Sequence, residues 1–378
     1  MTAARPRVLV VLGGIPLYGA ELATIDVGCM LRESGAEVLF ATNAHWGHVA
    51  VYPRLDALQL PHEGLVFFGS LERRPGLRRL LVLLRLMVTE NLRLWRLLRR
   101  FEATDVHLGS HWDAFNLWPA LRWSGARLRL HVHNVPVVRQ PLLRAFWRAL
   151  LRRCAAVVAV SEPVAQALRD QGLCAAPVVV PNRPPRRPAA ALPEVPRAAR
   201  TVFVFVGQVA PFKGVDHLVA AVEGLRAEGL DVACHVVGGI ASAWAEALRQ
   251  RAGEGPAADR IQFHGYVDDP RPWLRGSDVL VVPSLADEAF GMVVVEAKAV
   301  ARPAVVYADG ALQLLVRDRV DGQVVPRGDM QALHAALRAY ALDASLAGRH
   351  GAAAEASLDA LGIAQVPARW RALYGMAP

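Results

Sequence analysis

The stretch that decides the fold class is "RVLVVLGG", residues 7–14. Its uninterrupted apolar run before two glycines is typical of a parallel strand that is buried on both faces and ends in a tight loop. The next segment, "YGAELATIDVGCMLRESG", predicts a helix that ends near Gly35, and "AEVLFAT" after it predicts a second strand. This order of strand, glycine loop, helix and strand indicates a doubly wound α/β domain.

The alternation of strands and helices occurs twice along the chain. It continues to about residue 182 and restarts at "TVFVFVGQ", which begins at Thr201. Residues 183–200 are rich in Pro, Arg and Ala and show no helical period, which predicts a linker. We therefore expect an N-terminal domain at 1–182 and a C-terminal domain at 201–360, with the site in the cleft between them.

The composition is that of a globular chain with a strong positive charge. Hydrophobic residues make up 53% of the 378 residues, and the formal net charge is +9. Such a charge fits nucleic acid, an anionic membrane surface or a phosphorylated small molecule as partner. Because the sequence shows no zinc-finger, RNA-recognition or helix-turn-helix signature, we expect no nucleic-acid partner. The four cysteines have no CxxC spacing, which favours reduced thiols in a cytoplasmic protein.

Two segments combine apolar and basic residues in a helical pattern. The longer runs from Leu71 to Ala103, and the shorter is "RAFWRALLRR", in which Arg144, Arg148 and Arg152 share one helical face. Two interpretations are open: a packed helix with a solvated Arg face, or docking on an anionic membrane surface. No run of 18 apolar residues is free of charges, so we predict no transmembrane helix. The apolar start is too short for a signal peptide.

The two lysines of the chain draw attention to two loops. Lys and Arg together number 43, and only Lys213 and Lys298 are lysines. Lys213 lies in "VGQVAPFKGVDH", a loop between a buried strand and a helix. An ammonium on a glycine-flanked turn is a compact, mobile charge that can follow a phosphate oxygen as charge builds there. The alternative is an ordinary solvated loop lysine.

The segment "SLADEAFGMVVVEAKA" carries the second pattern. A strand ends at Ser284, and a helix is predicted to begin near Gly291, where free backbone N–H groups form an anion site. Glu288 lies in the loop and Glu296 about one turn into the helix. Both carboxylates can accept hydrogen bonds from sugar hydroxyls, although a Glu at a helix start can also merely compensate the helix dipole.

Together these motifs resemble the C-terminal domain of the family 4 retaining glycosyltransferases. That family has a G-R-x(4)-K-G loop, matched at Lys213, and a Glu-x7-Glu motif, matched at Glu288 and Glu296. In the N-terminal half, "GGIPLYGAE" and "AVSEPVAQALRDQG" are similar to the family's glycine-rich first loop and domain end. The resemblance implies the GT-B fold, in which two Rossmann-like domains face a central cleft. It also implies that the last helix, in residues 361–378, returns to the N-terminal domain.

The resemblance further implies roles for individual residues. Lys213 would stabilise the leaving diphosphate. Glu288 would contact the donor sugar, and Glu296 would bind the ribose. His133 would lie near the acceptor and the donor sugar. The catalytic set is thus Lys213, Glu288 and His133. The full donor-binding set is Gly13, Gly14, Gln208, Lys213, Glu288, Phe290, Gly291, Met292 and Glu296. The candidates on the acceptor side are Tyr18, Glu21, His111 and Asn134.

Three positions depart from the family pattern. Gln208 occupies the position of the family Arg, Arg183 replaces the Gly that follows Asn182, and Gln313 stands where the family often has Glu. No Asp-x-Asp occurs in the chain, which agrees with a strategy that uses protein cations and no metal. We therefore expect neither a metal nor another cofactor.

The resulting prediction is a metal-independent retaining glycosyltransferase with a UDP-, GDP- or ADP-linked sugar donor. The acceptor is expected to be a glycan or a lipid-linked molecule in cell-surface polysaccharide or glycoconjugate assembly. The protein is expected in the cytoplasm, peripheral on the inner face of the membrane. The main alternative, motivated by Gln208, is a catalytically weak nucleotide-sugar-binding or membrane scaffold protein. A nucleic-acid-binding α/β protein and a sugar-nucleotide epimerase remain minor alternatives.

Overall fold

The computed structural model describes residues 5–14, 17–44, 51–67, 77–186, 195 and 200–377. The chain divides into two compact units, the first formed by Met1–Pro188 with Ala364–Pro378 and the second by Ala189–Ile363. Most of the predicted linker, and residues 71–76 of the longer basic segment, lie outside the described residues.

Thirteen strands are present in the described residues. They are β1 (Arg7–Leu12), β2 (Glu37–Asn43), β3 (His62–Leu65), β4 (Asp105–Leu108), β5 (Arg127–Val132), β6 (Cys154–Ala159), β7 (Val178–Val179), β8 (Thr201–Val206), β9 (Val232–Val237), β10 (Ile261–Gly265), β11 (Val279–Val282), β12 (Ala304–Tyr307) and β13 (Gly322–Val325).

Fifteen α-helices accompany the strands in the same described ranges. They are α1 (Gly19–Glu33), α2 (Val51–Ala57), α3 (Leu77–Arg100), α4 (His111–Asn116), α5 (Trp118–Trp123), α6 (Pro141–Arg153), α7 (Glu162–Asp170), α8 (Val215–Ala227), α9 (Ala243–Glu254), α10 (Arg271–Gly276), α11 (Met292–Lys298), α12 (Leu312–Leu315), α13 (Met330–Leu342), α14 (Leu346–Ala356) and α15 (Val366–Leu373).

Each unit contains one parallel sheet with the same strand order at its centre. The first sheet has the order β3-β2-β1-β4-β5-β6-β7, and the second has the order β10-β9-β8-β11-β12-β13. Both orders are those of a doubly wound Rossmann-like sheet, which confirms the predicted fold class. The order reverses between β1 and β4 in the first unit and between β8 and β11 in the second. We call these two places the first and second switch points, because the chain connections change direction there.

The central strands are apolar because helices cover both of their faces. Val8 to Val11 in β1 and Phe203 to Phe205 in β8 are buried. In such sheets, side chains along a strand cannot alternate between core and solvent, so the sequence has an apolar run. Polar and glycine residues follow where the strand ends, and those loops are free to form a binding site.

Helix α15 belongs to the first unit although it lies at the other end of the chain. Trp370 and Tyr374 are buried in the core that also contains β1 and α1. The Tyr374 hydroxyl lies 3.0 Å from Nδ1 of His107 on β4. Arg129 on β5 donates through Nε to the Leu373 carbonyl at 2.8 Å and stacks its guanidinium over the Tyr374 ring.

The first residues of the predicted linker are instead held against the first unit. Arg183 donates to both carboxylate oxygens of Asp26 on α1, with its NH2 atom at 2.9 Å. Arg186 forms an ion pair with Glu33 on the same helix. Asp26 is buried and a buried carboxylate needs a paired cation, so the Arg at position 183 has a structural partner.

Candidate functional site

The loop that carries Lys213 follows β8 at the second switch point. Residues Pro211–Lys213 form one 3-10 turn, and Gly214 after it has φ of 65°. A Cβ at Gly214 would lie 2.0 Å from the Pro283 carbonyl oxygen, so only glycine fits both the backbone conformation and the space. This close approach brings the loop after β8 against the loop after β11.

Backbone hydrogen bonds fix the two loops to each other. The Phe212 carbonyl accepts from the amides of Leu285 at 2.8 Å and Ala286 at 3.2 Å. The Lys213 ammonium and the Glu288 carboxylate then form an ion pair, and both side chains are partly buried. Two residues predicted from separate motifs therefore form one cation–carboxylate pair at the second switch point.

An ionic network centred on the buried Asp309 side chain contacts the backbone of Glu288. The Glu288 amide donates to Oδ2 of Asp309 at 2.9 Å. Asp309 lies in the loop after β12 and pairs with Arg327, which also contacts Asp287 at 2.8 Å. The hydrogen bond from Arg327 lowers the pKa of Asp287, whereas burial raises the pKa of Asp309. The sequence analysis missed Asp309 and Arg327, although "YADG" places a polar residue directly after a buried strand.

The remaining donor-side candidates surround the start of α11. Gly291 precedes this helix with φ of 92°, and Glu296 is buried within it. Among the backbone hydrogen bonds of the described residues, none is donated by the amides of Phe290, Gly291 or Met292. The structure thus brings these residues into the loop–helix segment that also holds Glu288.

Gln208 lies in the same region, on the loop directly after β8. It is half-buried and follows Gly207. A Cβ at Gly238 would lie 1.6 Å from the Gly207 carbonyl oxygen, so the glycine pair after β9 allows the backbones to touch. The backbone at the carboxyl ends of the strands in the second sheet is therefore closely packed around Gln208 and Lys213.

The first switch point contains a cavity of about 300 Å³ within the first unit. Its walls come from the start of α1, the segments after β4 and β5, and α6. The described lining residues are Ala20, Glu21, Gly109, Ser110, His111, Trp112, Leu130, His131, Val132, His133, Asn134, Val135, Pro136, Val137, Val138, Leu143 and Trp147. Four predicted residues, Glu21, His111, His133 and Asn134, thus share one cavity, whereas Tyr18, Gly13 and Gly14 are not among these lining residues.

Gly13 and Gly14 make room for two carboxylates beside this cavity. A Cβ at Gly13 would lie 2.1 Å from Oδ1 of Asp113, and one at Gly14 would lie 2.2 Å from Oε1 of Glu21. The Gly13 amide donates to Asp113 at 3.2 Å. Burial raises the pKa of Asp113 to about 7, with a further contribution from the negative charge of Glu21. Burial also raises the pKa of Glu21. The sequence analysis missed Asp113, because its burial depends on the packing of α4 against the first loop.

Three histidines of the first unit are neutral at physiological pH. Burial lowers the pKa of His133 to about 3 and that of His111 to about 4, and it lowers the pKa of His131 well below 6.5. Nε2 of His133 lies 3.3 Å from the Thr24 hydroxyl, which itself donates to the Ala20 carbonyl at 2.9 Å. The Thr24 hydroxyl thus connects the His133 ring to the Ala20 carbonyl on α1.

Comparisons with known proteins fit both units. Residues 18–183 match the family model described as "Glycosyltransferase Family 4", and residues 200–343 match that described as "Glycosyl transferases group 1". The chain belongs to the group 1, family 4 glycosyltransferases. The matched segments together leave only short stretches of each unit uncovered, so the family resemblance predicted from the motifs is confirmed.

Two curated relatives illustrate the similarity within the family. A D-inositol 3-phosphate glycosyltransferase from Streptomyces griseus is 37% identical over 168 residues, which are 42% of this chain and 35% of that protein. A phosphatidyl-myo-inositol mannosyltransferase from Mycobacterium leprae is 33% identical over 222 residues, 57% of this chain and 56% of that protein. The chain thus spans between about a third and just over half the length of these relatives.

Solved structures share the fold over nearly the whole chain. Sucrose-phosphate synthase from Thermosynechococcus elongatus superposes with a TM-score of 0.76 at 19% identity, covering 98% of this chain and 100% of that one. Anabaena HepE, solved with UDP, gives a TM-score of 0.73 at 17% identity with coverage of 98% and 100%. The GT-B fold expected for this family member is therefore confirmed.

Lys298 of this glycosyltransferase-family chain has a structural environment. It is 1% exposed, and Nζ lies 3.1 Å from Asp321 and 2.7 Å from the Ser357 hydroxyl. Burial lowers the pKa of Lys298, partly offset by Asp321. The two lysines thus differ, since one is a partly exposed loop cation and the other lies inside the second unit.

The basic segments of the sequence form helices α3 and α6. On α3, Leu84, Val88, Leu92 and Trp95 are exposed at helical spacings of four, four and three residues. The Arg99 guanidinium lies 4.9 Å from the centre of the Trp95 ring. On α6, Arg148 and Arg152 are exposed, and Arg144 is half-buried. In the described residues, no helix combines the length and apolar character that crossing a membrane requires.

Proposed function

We propose that this chain is a retaining glycosyltransferase that moves a sugar from a nucleotide-diphosphate sugar to an acceptor held by the first unit. The observation that carries the proposal is the Lys213–Glu288 ion pair at the second switch point. Doubly wound sheets bind nucleotides outside the carboxyl ends of their strands at such a point. The family membership supports the same chemistry.

Lys213 is the group that responds to the leaving diphosphate. As the bond between the anomeric carbon and the phosphate oxygen breaks, negative charge develops on that oxygen, and a preorganised ammonium lowers the barrier. The partnership with Glu288 holds the flexible lysine side chain in the loop before the donor arrives. Lys213 and the amides of Phe290, Gly291 and Met292 provide the positive potential, so the proposed reaction needs neither a metal nor another cofactor.

Glu288 and Glu296 position the two sugar rings of the donor, the transferred sugar and the ribose. In this proposal, Glu288 accepts hydrogen bonds from the donor sugar, and Glu296 accepts them from the ribose. Charged acceptors of this kind form hydrogen bonds that are about twice as strong as neutral ones. His133, which is uncharged at physiological pH, lines the cavity of the first unit that is proposed to hold the acceptor.

A donor screen tests this proposal. We expect one class of UDP-, GDP- or ADP-sugar to raise the melting temperature of the protein and to be consumed when acceptors are added. UDP-glucose comes first, because Anabaena HepE was solved with it. Turnover is expected to persist in EDTA. Failure of every nucleotide sugar to bind would overturn the proposal.

The alternative of a catalytically weak binding protein follows from Gln208, which can donate a hydrogen bond but cannot neutralise a phosphate charge. It predicts donor binding with neither donor hydrolysis nor transfer to any acceptor. Single-turnover measurements with radiolabelled donor separate the two functions, because they detect even one transfer event per protein molecule.

We further propose that the acceptor is lipid-linked or membrane-proximal and that the protein works in the cytoplasm at the inner membrane face. Support comes from the exposed apolar stripe of α3 and the arginines beside it, a combination typical of helices that lie in a membrane interface. Anionic lipids attract such arginines, and each contributes about 1 kcal/mol near the surface.

Vesicle sedimentation tests the membrane proposal. We expect binding to vesicles that contain phosphatidylserine, weaker binding at high salt, and loss of binding in the double variant Val88→Glu/Leu92→Glu. Leu342→Glu, at an exposed position of the second unit, is the matched control and should bind like the unmodified protein. Equal sedimentation of both variants would contradict docking through α3.

A further inference from the structure

We propose that the cavity at the first switch point accepts an uncharged, hydroxyl-bearing ring, a glycosyl or polyol unit without phosphate, as the part of the acceptor that is recognised. This inference rests on the proposed function, because it names the class of acceptor bound by the first unit, whereas the donor is assigned to the second unit. It is carried by the charge of the cavity lining and by its aromatic walls.

The charge of the lining excludes a phosphate clamp. Among the described residues that line the cavity, none is Lys or Arg, and Glu21 is an acid. The histidines of the lining are uncharged, as their lowered pKa values require. Asp113 adds a second carboxyl group next to the cavity, at Gly13. Within the described lining, a phosphate would meet carboxyl groups and neither Lys nor Arg, whereas phosphate sites in proteins use Arg, Lys or clustered amides.

Two arginines are close in sequence to this wall and stay outside the lining. Arg139 follows Val138 and is exposed, and the Arg144 guanidinium donates to the Val138 carbonyl at 3.3 Å. Val138 lines the cavity, whereas neither arginine belongs to its described lining.

The aromatic walls fit the flat faces of a ring. The His111 ring lies 4.4 Å from that of Trp147 and 4.8 Å from that of Trp112, and Trp112 is half exposed. Pro136 and Leu143 add apolar surface. A volume of about 300 Å³ is at the small end of ligand pockets, which favours one ring over an oligosaccharide.

Matched pairs of ligands test this inference on the full chain. Binding is measured by calorimetry for myo-inositol against myo-inositol 3-phosphate and for glucose against glucose 6-phosphate, with methyl mannoside as a further neutral ring. We expect at least one neutral ring to bind, and each phosphorylated ring to bind at least about tenfold more weakly than its parent because of the Glu21 carboxylate. Tighter binding of a phosphorylated ring than of its parent, or no binding of any neutral ring, would overturn the proposal.

Two substitutions sharpen the test. Glu21→Gln keeps the side-chain oxygen that accepts from the Tyr18 amide and removes the charge. It should therefore lower the ratio of the affinity for the neutral ring to that for the phosphorylated ring by about tenfold. Trp112→Ala removes a half-exposed aromatic ring from the cavity wall, so it should weaken binding of the neutral ring. Trp123→Ala, at an exposed position of the same unit and outside the lining, should leave binding unchanged. An unchanged preference in folded Glu21→Gln would contradict the electrostatic part.

The donor assay keeps the two proposals distinguishable. If nucleotide sugars bind and the neutral rings do not, the cavity assignment fails and the glycosyltransferase function stands. If no nucleotide sugar binds while a neutral ring still does, the function fails and the cavity remains a ring-binding site.

Discussion

The two switch points have the same topology and opposite chemistry. At the second, a loop lysine and a glutamate form an ion pair backed by the Asp309–Arg327 network. At the first, the described lining holds no cation, and its histidines are uncharged. The comparison shows that strand order fixes where a ligand can bind, whereas the side chains after each strand decide which ligand class it is.

The largest expected effect is on the free energy of unfolding, and it comes from ionising the Asp113 carboxyl group beside the first switch point. The pKa of Asp113 is raised from 3.8 to about 7, so the native state holds this proton between those values and the unfolded state does not. Stability is therefore highest below pH 4 for this group and falls as the pH rises to 7, by roughly 4 kcal/mol. Urea unfolding of Asp113→Asn and of the unmodified protein between pH 4 and 8 measures the difference. Parallel pH profiles would contradict the buried neutral carboxyl group.

Removing the cation of the second switch point has the next largest effect. We expect Lys213→Ala to lower turnover by about 10²–10³, or roughly 3–4 kcal/mol, because a preorganised charge donor is lost. Lys213→Arg should restore only part of the rate, since the guanidinium is bulkier and planar. Steady-state transfer assays with the identified donor provide the measurement, and a folded Lys213→Ala protein with near-normal rate would show a mere solvated lysine.

Lys298 provides the matched control for Lys213. Lys298→Ala leaves Asp321 buried with Arg317 as its remaining cation, so it should lower the melting temperature of the second unit. At temperatures where it stays folded, its rate should be close to normal. A rate loss equal to that of Lys213→Ala would mean that the two lysines do not differ in role.

The two glutamates should separate ribose binding from sugar positioning. Glu296→Ala should weaken both the donor and the free nucleoside diphosphate, by roughly 1.5–3 kcal/mol for a lost charged hydrogen bond. Glu288→Ala should reduce transfer and spare diphosphate affinity. Titration calorimetry with the diphosphate decides between them, and equal losses of affinity would reject the assignment.

The smallest effect is expected from restoring the family residue at Gln208. Lys213 now meets the phosphate charge without a neighbouring cation from its own motif, and an added guanidinium would share that charge. Gln208→Arg should therefore raise turnover by at most about tenfold, or roughly 1.4 kcal/mol. A lower turnover in a folded variant would instead show that Gln208 is matched to the particular donor.

The sequence predicted the elements and the motif residues better than their contacts. The apolar run of β1 and its glycine pair indicated a doubly wound sheet, and Lys213 and Glu288 were each predicted from a local pattern. Their ion pair was not predicted, because it depends on how closely Gly214 approaches Pro283. Asp113 and Asp309 were missed for the same reason, since the burial that gives each its raised pKa comes from packing with distant segments.

Arg183 shows a further limit of pattern analysis. Its neighbourhood in Pro, Arg and Ala predicted a linker, but its guanidinium pairs with buried Asp26, more than 150 positions earlier. A composition rule cannot detect such a pair, because it sees neither burial nor spatial neighbours. The roles of the donor-side and acceptor-side residues stay predictions until the substitutions above are made.

The return of α15 to the first unit has a consequence for biosynthesis. Val366, Trp370 and Tyr374 complete a core whose other buried members lie in the first 188 residues, so the intervening residues 189–363 must be translated before that core can close. At about 5–20 residues per second, this delay is roughly 10–35 seconds. During that interval, the emerging first unit exposes the apolar surface that these three side chains later cover.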